Sequence, residues 1–559
     1  MDLLLLEKTA VFFSPSLFNH FLIYSLSTYH KQQQNNMETN ISNIDIGIII
    51  AYFILVLTIG FVIARRTKTG EDYFLGGRSF GWGLIGLSLF ASNISSTTII
   101  GLSGAAYTTG IVNSVYEWMS GLPLIIAAMI FIPLYLRSRI TTIPEYLERR
   151  FDRRSQLFFS GVSIFATIIV ETAGALYAGT LVLQAFFPSL PMAPTALGLA
   201  LIAGVYTASG GLKAVVYTDA IQAVILIVGC SFLTYILFDK VDFDWDKVVA
   251  NAPEGHFSVV RPLDDPGLPW PGLLMGVPFL GFWYWSTNQY IIQRALGARD
   301  IRQARWGLIL AGFLKVIPLF IMVIPGAIAL LLYPDIPNGD AVFPFLITNV
   351  LPVGMVGLVM AGLISAILSS VDSALNSSST LVVIDFIKPN RPNLTEQDTA
   401  KYGRITTIVL MVIAAAWAPQ IANFSGLWDY LQQMFSIVVP PIAVIFLVGV
   451  FYKRGNGHGA FWTLMGGTAL GILLFILSEN GMWSLHYTMN VGFIMAISAV
   501  IFVVVSLMTA PPTKDQIEMY TYRKGLIGDG MEGLPWYKDY RFHMVLLVGL
   551  IAYILGAFW

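Results

Sequence analysis

The sequence predicts an all-α membrane protein with about 14 transmembrane helices, arranged as two inverted repeats of five helices. Three observations lead to this fold class. Only 12% of the residues are charged and 56% are hydrophobic, whereas soluble domains carry about 25% charged residues. Apolar stretches of about 20 residues, the length that spans a bilayer, recur along the whole chain. Two of these stretches, five spans apart, are interrupted by polar residues and glycine.

The composition argues against several classes of function. The formal net charge of -1 argues against a nucleic acid partner. Cys230 is the only cysteine, so the chain can form neither an intrachain disulfide nor a cysteine-based zinc or redox site. No GxxxxGK[ST] loop occurs in the sequence, which argues against an ATP-driven pump. We therefore expect a protein that works in the lipid membrane without a cofactor.

The first 43 residues are predicted to be an N-terminal extension that precedes the membrane domain, residues 44–559. Residues 1–36 are apolar in patches, but charged residues and a proline interrupt them. They lack the basic start and the cleavage site of a signal peptide. Met37 then opens a more ordinary beginning. We expect a disordered tail or a start codon assigned too early, with an extra interfacial helix as the alternative.

Fourteen apolar stretches are candidates to span the membrane, although the fifth is short. They lie at residues 44–64, 81–107, 112–136, 155–186, 195–209, 215–238, 271–292, 306–333, 353–385, 403–421, 427–451, 458–478, 488–509 and 541–558. If the chain starts outside, the inner loops carry 26 basic residues and the outer segments carry 5. Because basic residues favour the inner side, both chain ends are predicted to face outward in a plasma or inner membrane.

The second and the seventh spans are each broken by polar residues. The second contains "ASNISSTT", residues 91–98, in which six of the seven side chains from Ser92 onward are polar. The seventh contains "GFWYWSTNQY", residues 281–290. Breaks in corresponding spans indicate a transporter built from two repeats. The spacing of the two breaks predicts repeats over residues 81–238 and 271–451.

An unwound polar segment suits a small cation. Unwinding frees backbone carbonyls, and carbonyls together with hydroxyls are the oxygen ligands that sodium prefers. Such a segment is tolerated at membrane depth where it lines a cavity. The alternative is that serine and threonine hydroxyls bond back to carbonyls one turn earlier, which is common for one or two residues but less so for six.

A second polar cluster lies in the ninth span, in "GLISAILSSVDSALNSSST", residues 362–380. Ser369, Ser373 and Ser377 recur at helical spacing on one face, and Asp372 is an ionisable residue within the membrane. Asp372 either serves the function or forms a salt bridge or a hydrogen bond that packs helices together. The other intramembrane charges are Glu117, Glu171, Asp219 and Lys315. The surplus of carboxylates over the single lysine again favours a bound cation.

Nine segments carry a resemblance to a known family: "ASNIS" followed by "GLSG", "YEWMSG", "TTIPEYLERRF", "GGLKAVVYTD", "LPWPG", "FWYWSTNQYIIQRALGA", "GFLKVIP" and "SSVDSALNSSSTLVVIDF". In this order, over roughly residues 44–455, they resemble the sodium:solute symporter family and, within it, the sodium/sugar cotransporters. The resemblance implies a fold of the leucine-transporter type. It also implies that sodium entry drives the uptake of a sugar or a related polyol.

The resemblance implies a main sodium site between the second and the ninth spans. Its carbonyl and hydroxyl ligands correspond to Ala91, Ile94, Ala366, Ser369 and Ser370. In some relatives a second sodium lies lower, at the positions of Asp219, Asp372 and Ser373. One of these positions holds an aspartate where those relatives usually have a serine. This change either strengthens a second cation site or pairs elsewhere.

The same resemblance implies a substrate site. Positions that form hydrogen bonds to the sugar correspond to Asn93, Glu117, Ser120, Lys315 and Gln432. Tyr284 matches the aromatic residue that stacks on the sugar ring as an inner gate, and Trp283 and Trp285 flank it. Thr98 and Gly281 depart from the bacterial galactose-type pattern, which has glutamine and asparagine there. Both changes remove a long polar side chain, so the identity of the sugar stays open.

Other functions fit the sequence less well. A passive channel or uniporter needs no ion site, which the serine pair at 369–370 argues against. A sensor needs a signalling domain, for which residues 510–540 are too few. An enzyme is not expected, because no nucleophile–base pair is visible. Within transporters, the alternative substrates are inositol, sialic acid, an amino acid or an anion. The sodium stoichiometry, the oligomeric state and the role of Glu171 stay open.

Overall fold

The described part of the protein is helical throughout. The computed structural model describes residues 41–64, 76–140, 142–207, 211–391 and 393–559. Within these ranges the only extended pairings are two isolated bridges, between Phe80 and Ala298 and between Arg261 and Pro269. The predicted all-α class is therefore confirmed. The predicted N-terminal extension lies outside the described residues, except for its last three.

Sixteen helices that form or divide the predicted spans are labelled in chain order. They are α1 Asn43–Ala64, α2 Trp82–Asn93, α3 Ser96–Thr109, α4 Ile111–Arg137, α5 Arg153–Phe186, α6 Met192–Thr207, α7 Gly211–Asp239, α8 Val277–Ser286, α9 Gln289–Leu296, α10 Ile301–Leu332, α11 Met355–Asn390, α12 Glu396–Trp417, α13 Leu427–Phe451, α14 Gly457–Glu479, α15 Tyr487–Met508 and α16 Tyr540–Ala557. Shorter helices between them are Ile143–Arg150, Trp245–Asn251, Trp270–Met275, Val342–Val350 and Lys514–Tyr520.

Fewer helices are long and apolar enough to span a membrane than the sequence predicts. Among the described residues, 10 helices are long and apolar enough to cross a membrane, or 11 if the bent pair α2–α3 counts as one span. A helix lies at each of the fourteen predicted positions, but the predicted count of 14 is not confirmed. Three predicted spans account for the difference: α1 and α6 count only as shorter apolar helices, and the seventh span is divided into three short helices.

The second predicted span is broken at its polar segment. α2 ends at Asn93, α3 begins at Ser96, and the two helices are bent by 59°. The ψ angles of Ile94 and Ser95, 68° and 172°, take the backbone out of helical geometry. We call Ile94–Ser95 the first break.

The seventh predicted span is broken between α8 and α9, at Thr287 and Asn288, which we call the second break. The Asn288 side chain caps α9, because its Oδ1 accepts a hydrogen bond from the N–H of Tyr290 at 3.3 Å. The Thr287 hydroxyl donates to the carbonyl of Trp283 at 2.9 Å. A side chain at this break therefore caps the helix that follows it.

Four helices contain a π-helical segment, in which each backbone hydrogen bond spans one residue more than in an α-helix. The segments are Ala127–Phe131 in α4, Ala166–Thr172 in α5, Leu319–Val323 in α10 and Val382–Ile387 in α11. Two of them follow the first break along the chain and two follow the second. Segments of this kind are frequent at functional sites.

The helices expose apolar residues and bury polar ones. α2 packs against α7 and α10, and α11 packs against α1, α6 and α7. Ile405, Ile408 and Val412 form an exposed apolar face of α12 at helical spacing. Ser88 and Asp219, in contrast, are buried at the contact of α2 with α7. A lipid-facing surface around a polar interior requires this distribution.

Three arginines of the predicted inner loops are buried in the structure. Arg150, Arg294 and Arg305 each expose 2% of their surface or less. Arg150 donates to three carbonyls near the end of α13, those of Gly449, Tyr452 and Gly455. The last carbonyls of a helix lack intrahelical donors, so a cation there is stabilising. The predicted inner loop at 293–305 is too long, because α9 ends at Leu296 and α10 begins at Ile301. Fewer of the 26 basic residues therefore face water.

Candidate functional site

A cavity lies between the two breaks, and the space free of protein atoms within it, including the part open to solvent, is about 860 Å³. Its walls come from α3, α4, α5, α8, α11 and α13, together with residues at both breaks. Seven of the eight predicted substrate residues line it: Asn93, Thr98, Glu117, Ser120, Gly281, Tyr284 and Gln432. The fold thus brings together residues that are more than 300 positions apart in the sequence.

The eighth predicted substrate residue, Lys315, lies directly behind the cavity wall. It is fully buried, and its ammonium group donates to Oδ1 of Asn93 and to Oε2 of Glu117. The ammonium nitrogen also lies 5.6 Å from the ring centre of Trp285. A buried ion pair needs further polar partners to balance the loss of water. Lys315 therefore fixes the orientation of two groups that face the cavity.

Aromatic side chains form much of the remaining wall. Tyr290 donates its hydroxyl hydrogen to the carbonyl of Ser92 at 2.8 Å, so the 3.0 Å contact between the Tyr284 and Tyr290 hydroxyls has Tyr284 as donor. At another side of the cavity, Tyr116 and Trp428 meet edge to face with their ring centres 5.4 Å apart. A cavity with aromatic faces and convergent hydrogen-bonding groups suits a ring that carries hydroxyls.

Thr98, which departs from the galactose-type pattern, forms a hydrogen bond within the protein. Its hydroxyl donates to the carbonyl of Asn93 at 2.6 Å, five residues earlier and across the first break. The bond holds the start of α3 against the end of α2. Thr98 therefore contributes to the shape of the break as well as to the cavity wall.

The carbonyls at the first break divide into two groups. Those of Phe90, Ser92, Asn93 and Ser95 accept hydrogen bonds from nearby donors. In the described part of the chain, no hydrogen bond reaches the carbonyl of Ala91 or that of Ile94. These are the two carbonyls predicted to bind sodium. Both halves of the broken span also pack against α11, which carries Ala366, Ser369 and Ser370.

Beside the predicted sodium ligands lies a buried polar network centred on Asp219. Its carboxylate accepts hydrogen bonds from four groups on three other helices: Ser88 at 2.9 Å, Ser92 at 3.1 Å, Ser369 at 3.1 Å and Arg294 at 3.2 Å. Arg294 also donates to Ser88 at 3.1 Å. The negative charge of Asp219 is thus balanced by a guanidinium within the same network.

The remaining predicted site residues lie along α11. Ala366, Ser369 and Asp372 are buried, Ser373 is half-buried, and Ser370 lines the cavity. Asp219 is joined to this helix through Ser369. Asp219 pairs with Arg294 at 3.2 Å, and the second cation site at Asp219, Asp372 and Ser373 stays a prediction.

The role of Arg294 is not predicted from the sequence, because the predicted seventh span ends at residue 292. A signal was available, since an arginine close to a polar break is a natural partner for a carboxylate within the membrane. Tyr116, Tyr290 and Trp428 were also missed as wall residues. In the sequence, an aromatic residue that lines a cavity cannot be distinguished from one that only packs two helices together. The distinction requires the positions of residues that are distant in the sequence.

Comparison with known proteins identifies a family for this architecture. The model of the sodium:solute symporter family matches residues 73–467. A sodium/glucose cotransporter 4 of Danio rerio is 34% identical over 528 residues, which cover 85% of this chain and 80% of that protein. A sodium/myo-inositol cotransporter 2 of Homo sapiens is 33% identical over 530 residues, covering 86% of this chain and 78% of that protein.

Two solved structures have a similar fold. A Na+-coupled sialic acid symporter in a substrate-bound outward-open state superposes with a TM-score of 0.71 at 22% identity, covering 85% of this chain and all of that one. A nucleobase-cation-symport-1 family transporter gives a TM-score of 0.53 at 13% identity, covering 81% of this chain and 99% of that one. At these identities the likeness concerns the fold alone.

Proposed function

The chain belongs to the sodium:solute symporter family, and from this premise we propose that it imports a sugar or a related polyol together with sodium. It is a multi-pass membrane transporter rather than an enzyme. The observation that carries the proposal is the cavity between the breaks, where amide, carboxylate and hydroxyl groups converge beside aromatic rings. Sugar hydroxyls both donate and accept hydrogen bonds, and this mixed set can serve both roles.

The fold we propose for the whole membrane domain has fourteen spans, ten of which form two inverted repeats. The two breaks support it, because they lie five spans apart. The π-helical segments support it independently. Counted as predicted spans, they fall in the third and fourth and again in the eighth and ninth, which are equivalent members of the two repeats.

We propose that sodium binds between the first break and α11. The carbonyls of Ala91 and Ile94 supply two oxygen ligands, and α11 adds the carbonyl of Ala366 with the hydroxyls of Ser369 and Ser370. Sodium is the coupling ion, and it ties the broken span to α11. This contact favours the outward-open state, in which the neighbouring cavity accepts the sugar. By linkage, each ligand then tightens the binding of the other by the same factor.

With both ligands bound, the repeats rock around the fixed site and expose it to the inside. Low internal sodium empties the ion site, and movement of Tyr284 releases the sugar. One sodium ion that moves through 100 mV contributes about 2.3 kcal/mol to uptake. No covalent bond is made or broken.

We propose a single sodium ion in each cycle. The candidates for a second site are Asp219, Asp372 and Ser373. Asp219 is a poor candidate for a ligand of a second ion, because its carboxylate already accepts hydrogen bonds from four groups and is paired with Arg294. This supports the single-ion proposal. Uptake measured against sodium concentration should therefore follow a Hill coefficient close to one, and a value near two would contradict the single-ion proposal.

Sodium-dependent uptake in proteoliposomes tests the ion site. Ser370→Ala should raise the sodium concentration for half-maximal uptake about tenfold, since a lost ligand of a charged group contributes about 1.5 kcal/mol or more. Ser377→Ala, two turns along the same helix, is the matched control and should leave it unchanged. Unaltered sodium dependence in Ser370→Ala would remove this assignment.

A panel of radiolabelled solutes, each with and without sodium, tests the substrate class. We expect accumulation of a hexose or of myo-inositol that collapses when sodium is withdrawn. Tyr284→Ala should abolish this uptake, whereas Tyr284→Phe keeps the ring and should retain much of it. Uptake at the wild-type rate by Tyr284→Ala would contradict the stacking role, and sodium-independent equilibration would instead indicate a uniporter.

A further inference from the structure

A second cavity lies between α13, α14 and α15. The space free of protein atoms within it, including the part open to solvent, is about 680 Å³, which is within the range of small-molecule sites. Among the described residues, none lines both this cavity and the cavity between the breaks. Neither the proposed sodium site nor the proposed substrate site uses the second cavity, so its polar lining requires a separate explanation.

The second cavity lies at the predicted outer side of the membrane. In that orientation α13 begins, α14 ends and α15 begins on the outer side. Ser478, Glu479 and Ser484 are exposed lining residues at these helix ends, and they form the mouth of the cavity. Ser436, on α13, is a buried lining residue of its interior. A solute in the outer solution can therefore enter this cavity without passing through the cavity between the breaks.

Asn490, on α15, is a buried lining residue with unused hydrogen-bond donors. It exposes 6% of its surface, and its Oδ1 accepts a hydrogen bond from Nε1 of Trp483 at 2.9 Å. Because an indole N–H only donates, this bond fixes which amide atom is the oxygen. Nδ2 has no hydrogen-bond partner among the described residues, and protein atoms do not cover it completely. A ligand in the cavity can therefore accept hydrogen bonds from Asn490.

The rest of the lining can accept hydrogen bonds as well as donate them. The Ser436 hydroxyl donates to the carbonyl of Gln433 at 2.7 Å, which leaves the lone pairs of its oxygen for a donor from a ligand. Ser478 and Ser484 add hydroxyls at the mouth, and Phe475 adds an aromatic surface. A mixture of amide, hydroxyl and aromatic groups suits a ring that carries several hydroxyls.

The charge of the lining argues against an anionic ligand. Glu479 contributes an exposed carboxylate, and no lysine or arginine in the described part of the chain lines this cavity. His486 adds no positive charge at physiological pH, because burial lowers its pKa to about 4. A lipid phosphate or a sugar acid would therefore find no cation to pair with. Since the N–H donors of Asn490 also disfavour a cation, the lining favours a neutral molecule.

We propose that the second cavity is an accessory binding site for a neutral polyol that enters from the outer side. Nδ2 of Asn490 donates to one hydroxyl of the ligand, and the Ser436 hydroxyl accepts from another. The site is separate from the transport site, because α13 lies between them: Gln432 lines the cavity between the breaks, and its neighbour Gln433 lines the second cavity. Binding here requires neither sodium nor transport, so the inference goes beyond the proposed function and does not depend on it.

Protection of an introduced cysteine from a thiol reagent tests the site. The single native cysteine, Cys230, is buried, so Ser478→Cys gives one reactive position at the mouth of the cavity. The purified full-length protein is labelled in detergent and in sodium-free buffer with a water-soluble methanethiosulfonate, with and without myo-inositol or D-glucose. A polyol present at several times its dissociation constant should slow the labelling about fivefold or more.

Further variants and one anion locate the protection. Asn490→Leu in the Ser478→Cys protein keeps the size of the side chain but loses the N–H donors, and it should cancel the protection. Ser436→Ala removes the acceptor inside the cavity and should also weaken it, which keeps the test decisive if melting temperatures show that Asn490→Leu does not fold. D-glucuronate should protect less than D-glucose. In Ser189→Cys, an exposed position between α5 and α6, polyols should not change the labelling rate.

Several outcomes would overturn the inference. Labelling of Ser478→Cys that neither polyol slows would do so, and so would equal slowing in Ser189→Cys. Protection that survives both Asn490→Leu and Ser436→Ala would place the polyol elsewhere. If added phospholipid slows the labelling and polyols have no further effect, a lipid occupies the cavity instead. Because the measurement involves neither sodium nor uptake, its failure is distinguishable from a failure of the proposed function.

Discussion

The two breaks in the membrane helices interrupt the backbone in different ways. At the first break, small polar residues surround the gap, Ser95 gives no side-chain cap to α3, and two carbonyls have no described donor. At the second break, Asn288 caps α9 and Thr287 bonds back to Trp283. Large aromatic residues flank the second gap. The two breaks therefore differ in the side chains around them and in the cap of the helix that follows, which is present for α9 and absent for α3.

This difference shows how similar interruptions can serve different purposes. An open set of backbone oxygens suits an ion that arrives with a positive charge and needs ligands. A capped break suits a wall that must hold its shape while a neutral solute binds against it. The polar residues of the first break and the aromatic residues of the second are therefore not interchangeable, although both break a helix. Four substitutions test this comparison.

The largest effect is expected for Arg294→Ala, which removes the cation that anchors α9 beyond the second break. It leaves Asp219 buried without its guanidinium, so the free energy of unfolding should fall by about 3–5 kcal/mol. Unfolding of the purified protein in detergent measures this loss. The double variant Asp219→Ala with Arg294→Ala should lose less than the single one, and exposed Arg299→Ala should lose nothing. A double variant that is no better would contradict the ion pair.

Asn288→Ala tests the capped break directly. It removes two hydrogen bonds: the one that caps α9 at the N–H of Tyr290, and the one that the Asn288 amide donates to Oε1 of Glu171. Together these losses should lower the free energy of unfolding by about 2 kcal/mol. Substrate uptake should fall as well, because the wall around Glu171 loses its fixed shape. Thermal unfolding and uptake are measured on the same preparations. A variant as stable as the wild type would show that the second break does not depend on this side chain.

Thr98→Val tests how the first break is held. The substitution keeps the shape of the side chain and removes the hydroxyl that donates to the carbonyl of Asn93. We expect a loss of about 1 kcal/mol in stability and a raised KM for the solute, because Asn93 also lines the cavity. The sodium dependence should change less than in Ser370→Ala. An unchanged KM would mean that this bond does not position Asn93.

Ser95→Ala should have the smallest effect. Ser95 occupies the position before α3, where a serine usually caps, but its hydroxyl contacts the Thr97 hydroxyl at 2.8 Å instead of an N–H of the helix. The expected loss is therefore below about 0.5 kcal/mol, less than that of a true cap. Thermal unfolding beside Asn288→Ala makes the comparison. Equal losses at the two breaks would remove the distinction between them.

Much of the architecture could be predicted from local patterns in the sequence. Length and hydropathy predict a helix at each of the fourteen positions, and runs of polar residues predict both breaks. These features depend on neighbours in the chain, so a sequence alone carries them. The lining of one cavity by Asn93, Glu117 and Gln432 follows from the family resemblance, not from any local pattern. Their roles as ligands stay predictions.

The features that could not be predicted depend on contacts across the fold. Arg294 looks like one more basic loop residue until α9 is seen to carry it into the interior beside Asp219. The sequence likewise cannot show that Oε2 of Glu171 has no hydrogen-bond partner among the described residues, because this depends on the positions of side chains from other helices. Pairing of charges within a membrane requires the positions of both partners, and hydropathy gives neither.

The ion pair between Asp219 and Arg294 also has a consequence for synthesis. The two residues are 75 positions apart in the chain, so a ribosome that adds about 5–20 residues per second completes Arg294 about 4–15 s after Asp219. During that interval α7 carries a carboxylate without its cation. Such a group costs about 2.5–3.5 kcal/mol at the centre of a membrane helix, and less near the start of the helix, where Asp219 lies. We therefore expect α7 to wait at the insertion machinery until α9 emerges, so that the two helices leave it together.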